Sequence, residues 1–195
     1  MKKIVIIMGK SSSGKDTIYK KLIERTNLKT IVPYTTRPQR TGEINGKDYY
    51  FVTNKYLEEN KQNIIESRTY DTVHGKWTYC EMMDHQLSET SNDNYILITT
   101  LEGYNGFLEY FGKEKLVPVY IYVDNGIRLQ RALEREKSQA FPKYTELCRR
   151  FLADEEDFAD EKLLSAGVTN QFENNDLEQV LSEIIDMLKS EDIDV

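Results

Sequence analysis

The sequence predicts an α/β fold in three layers, a mostly parallel five-stranded sheet with helices on both faces. Three observations carry that expectation. Short runs rich in Ile, Val, Leu or Tyr alternate with longer stretches of helical period, the pattern of parallel strands joined by crossover helices. The clearest helix shows Leu177, Val180, Leu181, Ile184, Ile185 and Leu188 as an apolar stripe of period 3.6 with acids opposite. The alternation breaks once, between Pro33 and Cys80, where Tyr, Thr, Gly and Arg dominate.

In chain order, segment 3–8 reads as a buried strand, 15–26 as the helix after it and 28–33 as a second strand. The irregular stretch from 33 reads as a small, mostly β lobe inserted into the core and reaching about 92, with a helix over 82–91. Strand 95–100, helix 102–112 and strand 117–123 resume the rhythm. Helices over 126–137 and 144–163 are dense in charge, with Arg128, Arg131, Arg135, Lys137, Arg149 and Arg150, and read as a helical arm over 126–163. Strand 167–173 and helix 176–190 close the chain. The expectation is one domain over 1–195, its core formed by about 1–32, 93–125 and 164–195.

Composition narrows the function classes. With 39 % hydrophobic and 30 % charged residues, the 195-residue chain suits a soluble globular domain. A net charge of −7 argues against a broad nucleic-acid footprint, so any anion must meet a local basic cluster. Cys80 and Cys148 are too few for a disulfide framework and fit a cytoplasmic protein with reduced thiols. The apolar run after Lys3 ends at Gly9 with no cleavage site, so it is not read as a signal peptide, and nothing approaches membrane-spanning length. A monomer or a homodimer fits equally.

Residues 9–17 read Gly-Lys-Ser-Ser-Ser-Gly-Lys-Asp-Thr, directly after Ile4-Val5-Ile6-Ile7-Met8. Strand, glycine-bounded loop and helix in that order make a phosphate cradle. Gly9 and Gly14 permit backbone angles that let successive N–H groups of Lys10, Ser11, Ser12 and Ser13 converge on one anion. The helix terminus adds positive charge, and Lys15 reaches the outer phosphates of a nucleoside triphosphate. The three-layer fold is therefore expected to be of the P-loop NTPase kind. Asp16 interrupts the pattern G-x4-G-K-[ST], and the hydroxyl comes one place later, at Thr17.

A second string, Thr35-Thr36-Arg37-Pro38-Gln39-Arg40-Thr41-Gly42-Glu43-Ile44-Asn45-Gly46-Lys47-Asp48-Tyr49-Tyr50-Phe51, is the most specific in the chain. Arg37 and Arg40 offer two planar forks suited to a phosphate, Tyr49 adds a hydroxyl donor, and Glu43 and Asp48 are placed to hold the arginines. A charged surface turn is the alternative, since Pro, Gly and Asn form turns; a turn alone does not call for two Arg, two Tyr and two acids.

This string resembles the acceptor signature of guanylate kinases, T-T-R-x-x-R-x-G-E-x-x-G-x-D-Y-x-F, and weaker similarity runs out to Asn174-Asn175-Asp176-Leu177. The resemblance implies an ATP- and Mg²⁺-dependent nucleoside monophosphate kinase that takes GMP or dGMP to the diphosphate. It makes 33–92 an acceptor-binding lobe and 126–163 a lid. Arg37, Arg40 and Tyr49, supported by Glu43, would hold the acceptor phosphate, and Glu66 would accept from guanine N1–H and N2–H. Asn174 would lie on the ATP side with the cradle. Lys15 and Arg37, with the lid arginines Arg131, Arg135 and Arg150, would surround the transferred phosphoryl group, where positive charge does most of the catalytic work. Arginines on a helix also pair with acids such as Glu134 and Glu136, which leaves individual lid roles open.

Three places depart from the family. Asp16 follows the cradle lysine. Ile98 and Thr100 stand where two strand-end acids are usual, and Trp77-Thr78-Tyr79-Cys80 replaces Tyr-Gly-Ser/Thr after a short insertion. Thr78 and Thr100 are the polar residues left at those acceptor positions. Asp16, with Thr17, is placed to take over Mg²⁺ positioning; the plainer alternative is a carboxylate favoured by the positive helix end. The other readings are the same chemistry on a different nucleotide or sugar phosphate, and a non-catalytic binding module.

Overall fold

The computed structural model describes residues 2–72, 75–87 and 90–194. Its centre is β1 (Ile4–Met8), every residue of which is buried. The strand order of the main sheet is β2 (Lys29–Thr30), β7 (Tyr95–Ile98), β1, β8 (Leu116–Tyr122) and β9 (Gln171–Glu173), all neighbours parallel. Alternate side chains of β1 go to opposite layers, as the pleat requires. Ile4, Ile6 and Met8 pack towards Leu101, Tyr104 and Phe107 of α3 (Leu101–Phe111), and towards Phe158 and Leu163. Val5 and Ile7 pack towards Ile18 and Leu22 of α1 (Lys15–Arg25) and the apolar stripe of α7 (Leu177–Ser190).

The lobe is a second sheet, ordered β4 (Tyr50–Phe51), β3 (Tyr34–Thr35), β6 (Gly75–Met82) and β5 (Ile64–Thr72). Its own small core is Tyr34, Leu57, Cys80 and Met82, with Leu57 supplied by α2 (Asn54–Glu59). Burial pushes the Cys80 thiol up to about 12, and Cys148 is exposed and free. The lid is α4 (Asn125–Lys137) followed by α5 (Tyr144–Asp157). No helix among the described residues is long and apolar enough to cross a membrane.

Four element expectations are corrected. Strand 28–33 shrinks to β2, because the side-chain amide of Gln86 takes over pairing at Val32, accepting from its N–H at 2.8 Å and donating to its carbonyl at 3.1 Å. No helix forms from 82: Met82 ends β6, and Asp84 then caps a turn by accepting from Gln86 N–H, while residues 88 and 89 of that expectation lie outside the described residues. Helix 144–163 breaks after Asp157, where buried Phe158 stacks on Tyr120 at 5.6 Å, and resumes as α6 (Asp160–Ser165). Strand 167–173 is only β9, since Gly167 and Val168 return hydrogen bonds to Leu164 and Leu163 and close α6.

Lobe and core meet where α3 crosses β5. A Cβ at Gly106 would lie 2.4 Å from Glu66 Cβ, and one at Gly103 would lie 2.1 Å from Thr99 Oγ1. Gly106→Ala is therefore expected to destabilise by about 1–3 kcal/mol, the range for overpacking, despite the better helix propensity of alanine. Urea unfolding measures this, and a midpoint at or above that of the parent would mean the crossing has slack.

Candidate active site

The loop from Gly9 to Gly14 delivers the chain from β1 to α1. Gly14 has φ +86°, and a Cβ there would meet Asn174 Nδ2 at 2.3 Å, so glycine is required twice over. Asn174 Nδ2 donates to Ser13 O at 2.8 Å and holds the loop from behind. The N–H groups of Gly14, Lys15 and Asp16 have no acceptor among the described residues, and Gly14 offers no side-chain cap. The positive end of α1 is thus left open to an anion. Burial pushes the Lys15 ammonium below its ordinary pKa; Asp16 and Asp154 oppose this, and Arg150 and Arg135 add to it, so these four groups surround the lysine.

Lid and cradle are bound together. Arg150 Nη2 lies 3.4 Å from Ser11 Oγ, Arg131 Nη2 lies 3.4 Å from Asn174 O, and Arg135 lines a cleft with Ser11, Arg150 and Phe151. Arg149 instead faces out and pairs with Glu146. The strongest tether comes from Arg128, which is 1 % exposed. Its guanidinium donates to Ser11 O at 2.9 Å and to Glu155 Oε1 at 2.5 Å, and it stacks 4.6 Å from the Phe151 ring. Asp154 Oδ2 accepts from Ser11 N–H at 2.8 Å, and Lys10 Nζ donates to Glu155 at 2.9 Å.

In the lobe, Arg37 is buried and largely spent inside the protein. It forms a two-pronged pair with Glu43 at 2.7 and 3.0 Å, donates from Nε to Tyr79 OH at 3.1 Å, and sits between the rings of Tyr49 and Phe51. Glu43 also accepts from Arg40 N–H at 2.7 Å, which fixes the backbone of the loop while the Arg40 side chain stays exposed and without a partner among the described residues. Tyr49 lies edge-on to Tyr79, with ring centroids 5.8 Å apart. Thr78, expected in the acceptor site, is corrected: Tyr79 points to Arg37, and its neighbour Thr78 points to the other face, where its hydroxyl meets Thr69 at 2.9 Å.

Glu66 lies beside a guanidinium on its own strand. Its carboxylate is buried and committed to Arg68, with Oε1 2.7 Å from Nη2 and Oε2 accepting from Nε at 3.2 Å. Arg68 Nη2 lies 3.5 Å from Glu81 Oε1, and Nη1 donates to Thr100 Oγ1 at 3.0 Å. Thr100 in turn caps α3, accepting from Gly103 N–H at 3.1 Å. Ile98, at the end of β7, packs against the sheet core.

A phosphate cradle and a lobe bearing the Arg37–Arg40 loop thus belong to one chain. A family model for guanylate kinase matches residues 1–191. The chain belongs to the guanylate kinase family. A guanylate kinase of Wolbachia sp. subsp. Brugia malayi is 32 % identical over 141 residues, 70 % of each chain. One from Wolbachia pipientis wMel is 49 % identical over 57 residues, 29 % of this chain and 28 % of that one. The crystal structure of guanylate kinase from Anaplasma phagocytophilum shares the fold, with a TM-score of 0.69 at 21 % identity, covering 97 % of this chain and 86 % of that one.

Within the guanylate kinase frame, sequence reasoning missed Arg128, Tyr79, Arg68 and Glu81 as parts of the site. Only Arg128 carried a signal, as one of the arginines in the basic arm. A Mg²⁺ ion fits the cradle by its donor set. Asp16 and Thr17 stand exposed in the first turn of α1, and the Asp16 carboxylate has no partner among the described residues. No cluster of three His, Cys, Asp or Glu occurs among those residues, and Mg²⁺ bound to phosphates needs only one or two protein oxygens.

Glu81 carries a pH signature. Burial, then its contact with Glu66, raises its pKa well above the ordinary carboxyl value, while Arg68 opposes the rise. The folded state therefore keeps a proton that the unfolded state loses, and stability falls as pH rises above about 4.5. Glu81→Gln mimics the protonated acid and is expected to shrink the loss of Tm between pH 5 and pH 8. Equal losses in parent and variant would remove Glu81 as the source.

Proposed function

We propose that this protein transfers the γ-phosphoryl group of ATP to GMP or dGMP, giving ADP and GDP or dGDP. The observation that carries the reading is the open N-terminus of α1 with Lys15, close enough to the lid arginines Arg135 and Arg150 to feel their charge. The N–H groups of Gly14, Lys15 and Asp16 take the β-phosphate, and Lys15 draws charge towards the β–γ bridge. Arg131, Arg135 and Arg150 close the far side. In the lobe Arg40 and Tyr49 hold the acceptor phosphate, and Arg37 with Glu43 fixes their loop. An acceptor phosphate oxygen attacks the γ-phosphorus, the bond to the β–γ bridging oxygen breaks, and ADP leaves with that electron pair. The acceptor monophosphate carries ≈ −2 charge near neutrality and needs no general base. Asp16 and Thr17 are the residues that would hold Mg²⁺, which when bound offsets charge on the β- and γ-oxygens.

A coupled assay of ADP release on GMP tests the assignment, with Lys15→Ala as the decisive variant. Turnover is expected to fall by about 10²-fold or more, since one preorganised charge is removed from a half-exposed position that supports no packing. A folded variant turning over at the parent rate would end the kinase reading.

Asp16→Ser separates the two roles open to that residue. If Asp16 positions Mg²⁺, the metal concentration for half-maximal rate should rise. If it serves only the helix end, the effect should stay within roughly 0.3–1 kcal/mol of stability and leave the Mg²⁺ titration superimposable.

A further inference from the structure

On α4, Arg128, Arg131 and Arg135 recur at i, i+3 and i+7, one face of the helix. Arg128 differs from the other two in having each of its three nitrogens spent on the protein. Nε donates to Asn125 Oδ1 at 3.3 Å, and Nη2 donates to the same oxygen at 3.0 Å and to Glu155 Oε1 at 2.5 Å. Nη1 donates to Ser11 O at 2.9 Å and lies 3.6 Å from Asp154 Oδ2. With the side chain 1 % exposed, Arg128 is out of reach of a phosphate. Any part it plays in the chemistry runs through its neighbours.

The neighbour that bears on the cradle is Asp154. Its Oδ2 accepts from Ser11 N–H at 2.8 Å while the Ser11 carbonyl accepts from Arg128, so the acid and the arginine grip one loop residue by both sides of its backbone. The Asp154 side chain is only 16 % exposed, and a carboxylate so far out of water needs a cation. Asp154 is also close enough to Lys15 to act on its charge. Without Arg128, Lys15 becomes a partner open to that carboxylate, and a lysine so paired must give up the pair before it can meet a phosphate. Glu155 is less dependent on Arg128, because Lys10 Nζ and Asn125 Nδ2 each donate to its other oxygen at 2.9 Å.

We propose that Arg128 is a positioning residue for the donor site: it holds Asp154 on the Ser11 N–H, keeps that carboxylate from pairing with Lys15, and so leaves Lys15 free for the triphosphate. This rests on the kinase reading above.

Calorimetric titration of ATP with Mg²⁺, without acceptor and below the Tm of every variant, compares the parent with Arg128→Met, Asp154→Asn and the double variant. Arg128→Met should weaken ATP binding by at least about tenfold, the scale of one charged hydrogen bond. Adding Asp154→Asn should return Kd to within about threefold of Asp154→Asn alone, because an amide cannot neutralise Lys15 and the two sites are coupled. In the steady state the loss should fall on KM for ATP, with KM for GMP unchanged. If Arg128→Met does not fold, Arg128→Lys takes its place: its ammonium keeps a cation there but cannot span Ser11, Asn125 and Glu155 together. ATP binding should then weaken by less, and the same Asp154→Asn should reverse the loss. ATP affinity equal to the parent's would overturn the proposal, as would an equal rise in KM for GMP. So would a loss that Asp154→Asn leaves in place, since Arg128 would then be a structural tether only. A parent that binds no ATP would overturn the kinase reading itself, and this role with it.

Discussion

The phosphate loop is the one constraint to which every other part of the molecule is tied. Three of its backbone groups are taken by protein: Ser13 O by Asn174, Ser11 O by Arg128, Ser11 N–H by Asp154. Those three partners come from three different segments, the turn before α7 and the two lid helices. Held from three sides, the loop keeps its shape with the N–H groups of Gly14, Lys15 and Asp16 turned out. An anion then meets donors whose ordering cost was met in folding, which is what preorganisation means for a charge-stabilising site. The lid is accordingly pinned at its base, around residues 150–155, while 138–146 are mostly exposed.

In the lobe a different constraint rules. α3 approaches β5 so closely that a Cβ at Gly106 would collide with Glu66, and the approach buries Glu66 beside Glu81. Two carboxyls out of water need a cation or a proton, and the lobe supplies both: Arg68 pairs with Glu66, and Glu81 is held towards its protonated form. The Arg37–Glu43 pair repeats the device at the phosphate end. Two of the three lobe arginines are therefore fixed by acids, and Arg40 alone keeps its fork free.

The core was legible because it obeys local rules. β1, α1, α3 and α7 each carry a periodicity that burial on one or two faces enforces, and the Gly-Lys loop sits where strand hands over to helix. Sequence reading worked at the glycine-bounded loop and at the Arg37–Glu43 pair, where a motif fixes both residue type and spacing. It failed where the partner is distant in sequence: Arg128 meets Ser11 across 117 positions, and Arg37 meets Tyr79 across 42. Thr78 failed for a sharper reason. A shift of one residue along a strand sends a side chain to the opposite face of the sheet. Tyr79, not Thr78, therefore turns towards the phosphate end. The Glu66–Arg68 pair was not legible, because nothing in the sequence announces that a residue two positions on will hold that carboxylate.

The net charge of −7 sharpens the electrostatic problem. A triphosphate and an acceptor phosphate repel each other and, at long range, repel the protein. The chain answers by concentrating cations at one place. Arg135 and Arg150 act directly on Lys15, and Arg131 reaches the Asn174 carbonyl beside the same loop. Two acids also act on Lys15, Asp16 and Asp154, of which Asp154 is partly spent on Ser11 N–H and Arg128. A locally positive cleft in a negative protein draws polyanions to that cleft and away from the rest of the surface. Burial makes Lys15 costly to keep charged, and repulsion from Arg135 and Arg150 adds to that cost, while Asp16 and Asp154 oppose it. Under the proposed chemistry the arriving phosphates relieve that repulsion, so the nucleotide itself draws lid, loop and lobe into one charged assembly.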